Sequence, residues 1–114
     1  MKQNLIKTKS FEFALKSISV YKALVSEKEF ILSKQFIRSS TSIGANVQEA
    51  DAGISRKDFT AKMSIASKEA RETLYWINLL NASQLVKYDF EDIKQDSEEL
   101  VRILTLIVKP CQTN

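Results

Sequence analysis

Glu69 and Glu72 stand three residues apart in the segment 66–76, ASKEARETLYW, and on a helix they share one face. Two carboxylates at that spacing can hold Mg²⁺, a hard cation that takes carboxylate and water oxygens. The same spacing recurs at Asp89/Asp92 and Asp96/Glu99, where it fits helix capping and solvated helix faces better. The rest of the catalytic vocabulary is thin. The chain has no histidine, which removes Ser–His and Cys–His nucleophiles, histidine zinc sites and Glu-x-x-His di-iron bundles. Its one cysteine, Cys111, follows Pro110 near the C-terminus; it reads as an incidental thiol and has no partner for an intramolecular disulfide.

The elements that must position these residues are helical. A chain of 114 residues fits one domain, 1–114, with 1–9 and 110–114 as loosely ordered tails. Only 2 Gly and 1 Pro interrupt it, which favours long helices over many short strands. Capping residues and 3.6-residue periodicity predict helices over 10–25, 29–52, 56–82 and 90–108. In the first, Ser10 is the expected N-cap and Phe11, Ala14 or Leu15, Ile18, Tyr21 and Val25 the buried stripe, leaving Phe13 and Val20 as surplus apolar surface. Ser26 and Glu29 suit a capping box before the second helix, whose small residues Ser39–Ser42 and Gly44 would let a neighbouring backbone approach. Gly53 fits a left-handed helix end, and Ser55 with Asp58 caps the third helix. That helix carries the stripe Phe59, Met63, Ala66, Ala70, Leu74, Ile77. The fourth buries Phe90, Ile93, Ser97, Leu100, Leu104 and Ile107, and Pro110 is expected to stop it. Its last turns, with Val101, Ile103, Leu106 and Val108, are apolar nearly all round, which points to self-association. Short connections make the fold class all-α, an antiparallel up-down-up-down four-helix bundle.

A corner near Gly53 sets the register of the middle pair. Arg38 should face Glu69 and Glu72; Asn46 should face Lys62; Glu49 should face Phe59 and Lys62. Arg38, Ser42, Asn46 and Glu49 line one side of the second helix, and Asp58, Lys62, Glu69, Glu72 and Trp76 one side of the third. Matched charges of this kind set register. A cation facing Glu69-x-x-Glu72 also opposes metal binding, so no metal or cofactor is expected.

Charge is uneven. Residues 1–48 hold 8 basic and 3 acidic side chains, residues 49–114 hold 9 and 11, and the whole chain is +3. Solvated helix faces account for most of this. Lys7, Lys9, Lys16, Lys22 and Lys34 are nevertheless candidate phosphate contacts, most of all if several copies are arrayed together. No Walker, zinc-finger, KH or RNP signature is present. The N-terminus lacks the apolar core of a signal peptide, and no apolar run is long enough to span a membrane, so a cytoplasmic protein is expected.

Three ordered motifs, RSSTSIGANVQEA (38–50), SRKDFTAK (55–62) and ASKEARETLYW (66–76), resemble the bacterial four-helix-bundle proteins encoded in 23S rRNA intervening sequences, also labelled S23 ribosomal proteins. The resemblance extends from Phe11 to Lys109 and takes in Arg38, Ser42, Asn46, Glu49, Asp58, Glu69 and Trp76. It implies a bundle that assembles into a ring-like homo-oligomer, a pentamer. It also implies kinship with the accessory variability proteins of diversity-generating retroelements, basic barrels that bind nucleic acid and a reverse transcriptase. No catalytic activity comes with it. The resulting expectation is a non-enzymatic oligomeric module that binds RNA or a nucleoprotein and takes no small-molecule substrate. The alternatives are a protein-interaction hub and, last, a Mg²⁺-dependent nucleotide hydrolase similar to the MazG type.

Overall fold

Every helix of this protein buries a seam spaced alternately by three and four residues, and much of that seam is serine, threonine or alanine. The structure, a computed structural model, describes residues 2–112, with side chains described from 4 to 110. It contains α1 (Lys2–Ser26), α2 (Leu32–Asp51), α3 (Arg56–Ser83) and α4 (Glu91–Gln112). The seams are Ile6, Ser10, Phe13, Ser17, Val20, Leu24 in α1; Ser33, Phe36, Ser40, Ile43, Val47, Ala50 in α2; Met63, Ala66, Ala70, Thr73, Ile77, Leu80 in α3; and Phe90, Ile93, Ser97, Leu100, Leu104, Ile107 leading through α4. A 3.5-residue repeat keeps each seam facing the bundle axis along the whole helix. Each helix packs on its chain neighbours, and α1 packs on α4 to close the bundle. The connections are short and the polar cross-links, described below, run antiparallel. The all-α four-helix fold is therefore as expected.

Helix boundaries differ in instructive ways. The first helix begins at Lys2, eight residues before the expected start. Ser10 is no cap: it is buried mid-helix and its hydroxyl donates to the Lys7 carbonyl at 3.3 Å. Ile6, fully buried, ties the extra turns to the core. The buried stripe of α1 is likewise in the other phase. Phe13 and Val20 are core, whereas Phe11, Leu15 and Ile18 face outward. Two of the true seam positions, Ser10 and Ser17, are polar, so counting apolar residues favours the wrong face.

At the first corner Lys28 takes a left-handed conformation (φ 65°), and the Glu29 and Lys28 amides bond back to the Leu24 and Val25 carbonyls at 3.0 and 2.9 Å. Glu29 then caps α2, which begins at Leu32 rather than 29. Its carboxylate accepts from the amides of Ile31, Leu32 and Ser33 at 3.1, 3.1 and 2.6 Å. Ser26 instead donates to the Ala23 carbonyl.

The serine run is held helical by packing, with Ser39, Ser40 and Ile43 fully buried, and its hydroxyls are satisfied locally: Ser39 by the Phe36 carbonyl, and Ser40 and Thr41 by that of Ile37. At the second corner Gly53 is not left-handed. It is needed for room, since a Cβ there would sit 3.1 Å from the Ala50 carbonyl oxygen and 3.3 Å from the Asp58 Cβ. Ser55 accepts from the Asp58 amide at 3.0 Å and caps α3. The Asp89 carboxylate accepts from the Glu91 amide at 3.0 Å before α4. Pro110 does not stop α4; it lies inside its final turn, and the helix runs on to Gln112. The side chain of Cys111 and residues 1, 113 and 114 lie outside the described residues.

Candidate functional site

The polar strip between α2 and α3 combines bonds along each helix with cross-links between the two. One Arg38 nitrogen reaches Glu69 at 3.2 Å and a second meets Glu72, while its Nε donates to Gln35 at 3.3 Å. Trp76, one turn past Glu72, donates its indole N–H to the same carboxylate at 2.9 Å. Arg38 is half exposed, but Glu69 is only 16% so, which places the cluster at the rim of the core. One turn from the corner, Lys62 meets Glu49 at 2.7 Å. Both ion pairs fall where the register argument puts them. Asn46 bonds within its own helix, its amide donating to the Ser42 carbonyl and hydroxyl at 2.9 and 3.1 Å. Asp58 contributes through its backbone at the α3 cap.

This arrangement leaves little for chemistry. Glu69 and Glu72 both face the Arg38 guanidinium, and Trp76 occupies one more acceptor position. Among the described residues no group of three or more Asp, Glu, Cys or His side chains gathers as a metal site would require.

The five candidate lysines do not form one surface. Lys7 meets Asp51 at 2.9 Å on the α2 side of α1. On the α4 side, Lys9 meets Glu99 at 3.1 Å, and Lys16 meets Asp96 at 2.6 Å and Asp92 at 3.1 Å. The hydrogen bonds to Asp96 and then Asp92 raise the Lys16 ammonium above its usual 10.5. Three of the five therefore spend their charge on clamping α1 to its neighbours. Among the described residues Lys22 and Lys34 are exposed with no carboxylate partner.

What the sequence reading missed lies on the outside of α1. Phe11, Leu15 and Ile18 are 66%, 54% and 42% exposed and follow one another at helical spacing, nearly opposite the buried seam. Their pattern was visible; their direction was not. The α4 argument for self-association weakens correspondingly, because Val108 is buried and Leu106 is the one large apolar residue of those turns that stays well exposed.

The fold and the polar strip together define a helical bundle in class, with serine-rich seams and ion pairs that match α2 to α3. The chain belongs to the 23S rRNA-intervening sequence protein family, whose model matches residues 2–106. It is similar to a crystal structure of a protein with unknown function from the S23 ribosomal protein family of Bacteroides thetaiotaomicron VPI-5482. The two are 48% identical, with 96% of this chain and 99% of that one covered and a TM-score of 0.90. No curated protein matches the chain. No helix among the described residues is long and apolar enough to cross a membrane.

Proposed function

We propose that this protein is a non-enzymatic binding module that works as a homo-oligomer. The observation that carries this reading is the outward stripe Phe11, Leu15, Ile18 on α1. Three large apolar side chains in a row on a solvent face are the kind of patch that marks an interaction surface. A second copy of the chain is the occupant we favour, and the ring expected from the family resemblance agrees with that choice. Multi-angle light scattering tests it directly. The wild-type mass should be a multiple of 13.0 kDa, and Leu15→Glu should reduce it towards that value. A monomeric wild type overturns the reading.

RNA or a nucleoprotein is the second reading. It is favoured by Lys22, which lies on the same outer face of α1 as Leu15 and has no carboxylate partner among the described residues. Copies arrayed through α1 would multiply that charge. Binding of a short RNA across a salt series tests this. Affinity should fall steeply with salt as counterions are released, and a flat response excludes phosphate contacts.

A further inference from the structure

The two long clefts beside α4 differ sharply in charge. The α1–α4 cleft holds Lys9 and Lys16 against Glu12, Asp96 and Glu99, so its cations are neutralised where they stand. The α3–α4 groove, about 400 Å³, is lined by Lys68, Arg71 and Lys109 and, among the described residues, by no carboxylate. Three hydroxyl residues, Ser64, Ser67 and Thr105, share the lining.

Local structure fixes these groups. Ser64, Lys68 and Arg71 follow one another at helical spacing on α3, as do Thr105 and Lys109 on α4. Arg71 Nη2 donates to Thr105 Oγ1 at 3.0 Å, and Thr105 donates to the Val101 carbonyl at 2.7 Å, so the guanidinium is held across the groove by a neutral group. A guanidinium so tethered has further N–H donors directed elsewhere. Six other Ser and Thr side chains within helices bond their own backbone, at Ser10, Ser39, Ser40, Thr41, Thr60 and Thr73. The hydroxyls of Ser64 and Ser67 have no hydrogen-bond partner among the described residues, although Ser67 is only 7% exposed. Unlike Ser17 and Ser97, whose hydroxyls are sealed in the core, Ser67 is part of a groove wall.

We propose that the α3–α4 groove binds a phosphate oxyanion, with Lys68, Arg71 and Lys109 supplying charge and Ser64 and Ser67 donating hydroxyl hydrogen bonds. The chemistry fits: an oxyanion accepts several donors at once, and charge-assisted bonds to Arg and Lys are the stronger ones. The anion has two possible sources, the phosphodiester backbone of RNA or a free polyphosphate. For the first source alone the inference rests on the RNA reading given above.

The test follows backbone amide resonances of the ¹⁵N-labelled full chain during titration with tripolyphosphate and, separately, with a short single-stranded RNA. Tripolyphosphate should shift the amides of residues 64–71 and 105–109. The exposed double substitution Lys68→Gln/Lys109→Gln should weaken binding about tenfold, while Lys22→Gln/Lys34→Gln, which removes the same charge elsewhere, should change it less than about twofold. Equal weakening by both pairs, or shifts spread over every cationic segment, overturns the site, as does absence of binding. RNA that shifts the same amides and competes with tripolyphosphate identifies the backbone as the source. Tripolyphosphate binding without RNA binding keeps the groove, assigns it to a free polyphosphate and defeats the RNA reading.

Discussion

The hydroxyl oxygens of Thr73 and Ser39 lie 2.9 Å apart between α3 and α2, and neither residue has exposed surface. Thr73 also reaches the Glu69 carbonyl at 2.8 Å and Ser39 the Phe36 carbonyl at 3.2 Å, so each hydroxyl has more than one partner inside the core. Removing one leaves the other partly unsatisfied where water cannot replace it. Thr73→Val should therefore cost about 1–3 kcal/mol in urea unfolding. The double variant Ser39→Ala/Thr73→Val should cost less than the sum of the single changes. Additivity would mean that the two hydroxyls do not act on each other.

The two glycines should respond in opposite directions to the same change. At Gly44 an added Cβ meets the Ser10 carbonyl oxygen at 3.4 Å, ordinary contact, so α1 approaches closely yet leaves room for a methyl. Gly44→Ala should leave stability unchanged or raise it by up to about 1 kcal/mol, from helix propensity. Gly44→Leu should be destabilising, because its extra atoms have only the α1 backbone to occupy. At Gly53 a Cβ would press on the Ala50 carbonyl oxygen at 3.1 Å, and Gly53→Ala should cost about 1 kcal/mol or more. Thermal melts of the three variants measure all of this.

How much of this was legible before the structure depends on where the seam is apolar. In α3 and α4 all its residues but Thr73 and Ser97 are Met, Ala, Ile, Leu or Phe, and both phase and caps at Ser55 and Asp89 follow from the sequence. In α1 the seam alternates with Ser10 and Ser17, and the exposed face carries Phe11, Leu15 and Ile18, so the hydrophobic count points outward. The Arg38–Glu69/Glu72 and Glu49–Lys62 cross-links were readable because one short corner fixes the α2–α3 register. The α3–α4 groove was not, because the stretch after Ser83 contains a left-handed Gln84 and an irregular run that periodicity does not position. The lysine pairs of α1 depend on both phase and closure of the bundle, and neither is local.

Arg38→Met tests whether the polar strip acts on register or on stability. The pair partners are partly exposed and salt screens them, so the loss should be about 1 kcal/mol or less at physiological salt and smaller still in 1 M NaCl. Trp76 shares the Glu72 carboxylate, so its fluorescence should report the change even when stability scarcely moves. An unchanged emission spectrum with a large stability loss would contradict this account.

Lys16 gives the bundle a pH dependence of known sign. Hydrogen bonds to Asp96 and Asp92 raise its pKa in the folded chain above the ordinary 10.5. The folded state thus holds this proton more tightly than the unfolded chain does. The resulting stabilisation is fully present below about pH 10.5 and is lost as the pH climbs through the raised folded value. Half of the Lys16 side chain is exposed, so the effect is small and weakens with salt. Urea unfolding of the wild type from pH 9 upwards should show a decline that is shallower in Lys16→Gln, with the two curves converging at the alkaline end. Parallel curves across that range would show that the α1–α4 clamp contributes nothing through Lys16. A decline steeper in Lys16→Gln than in the wild type over that alkaline range would show that the shift runs in the opposite direction.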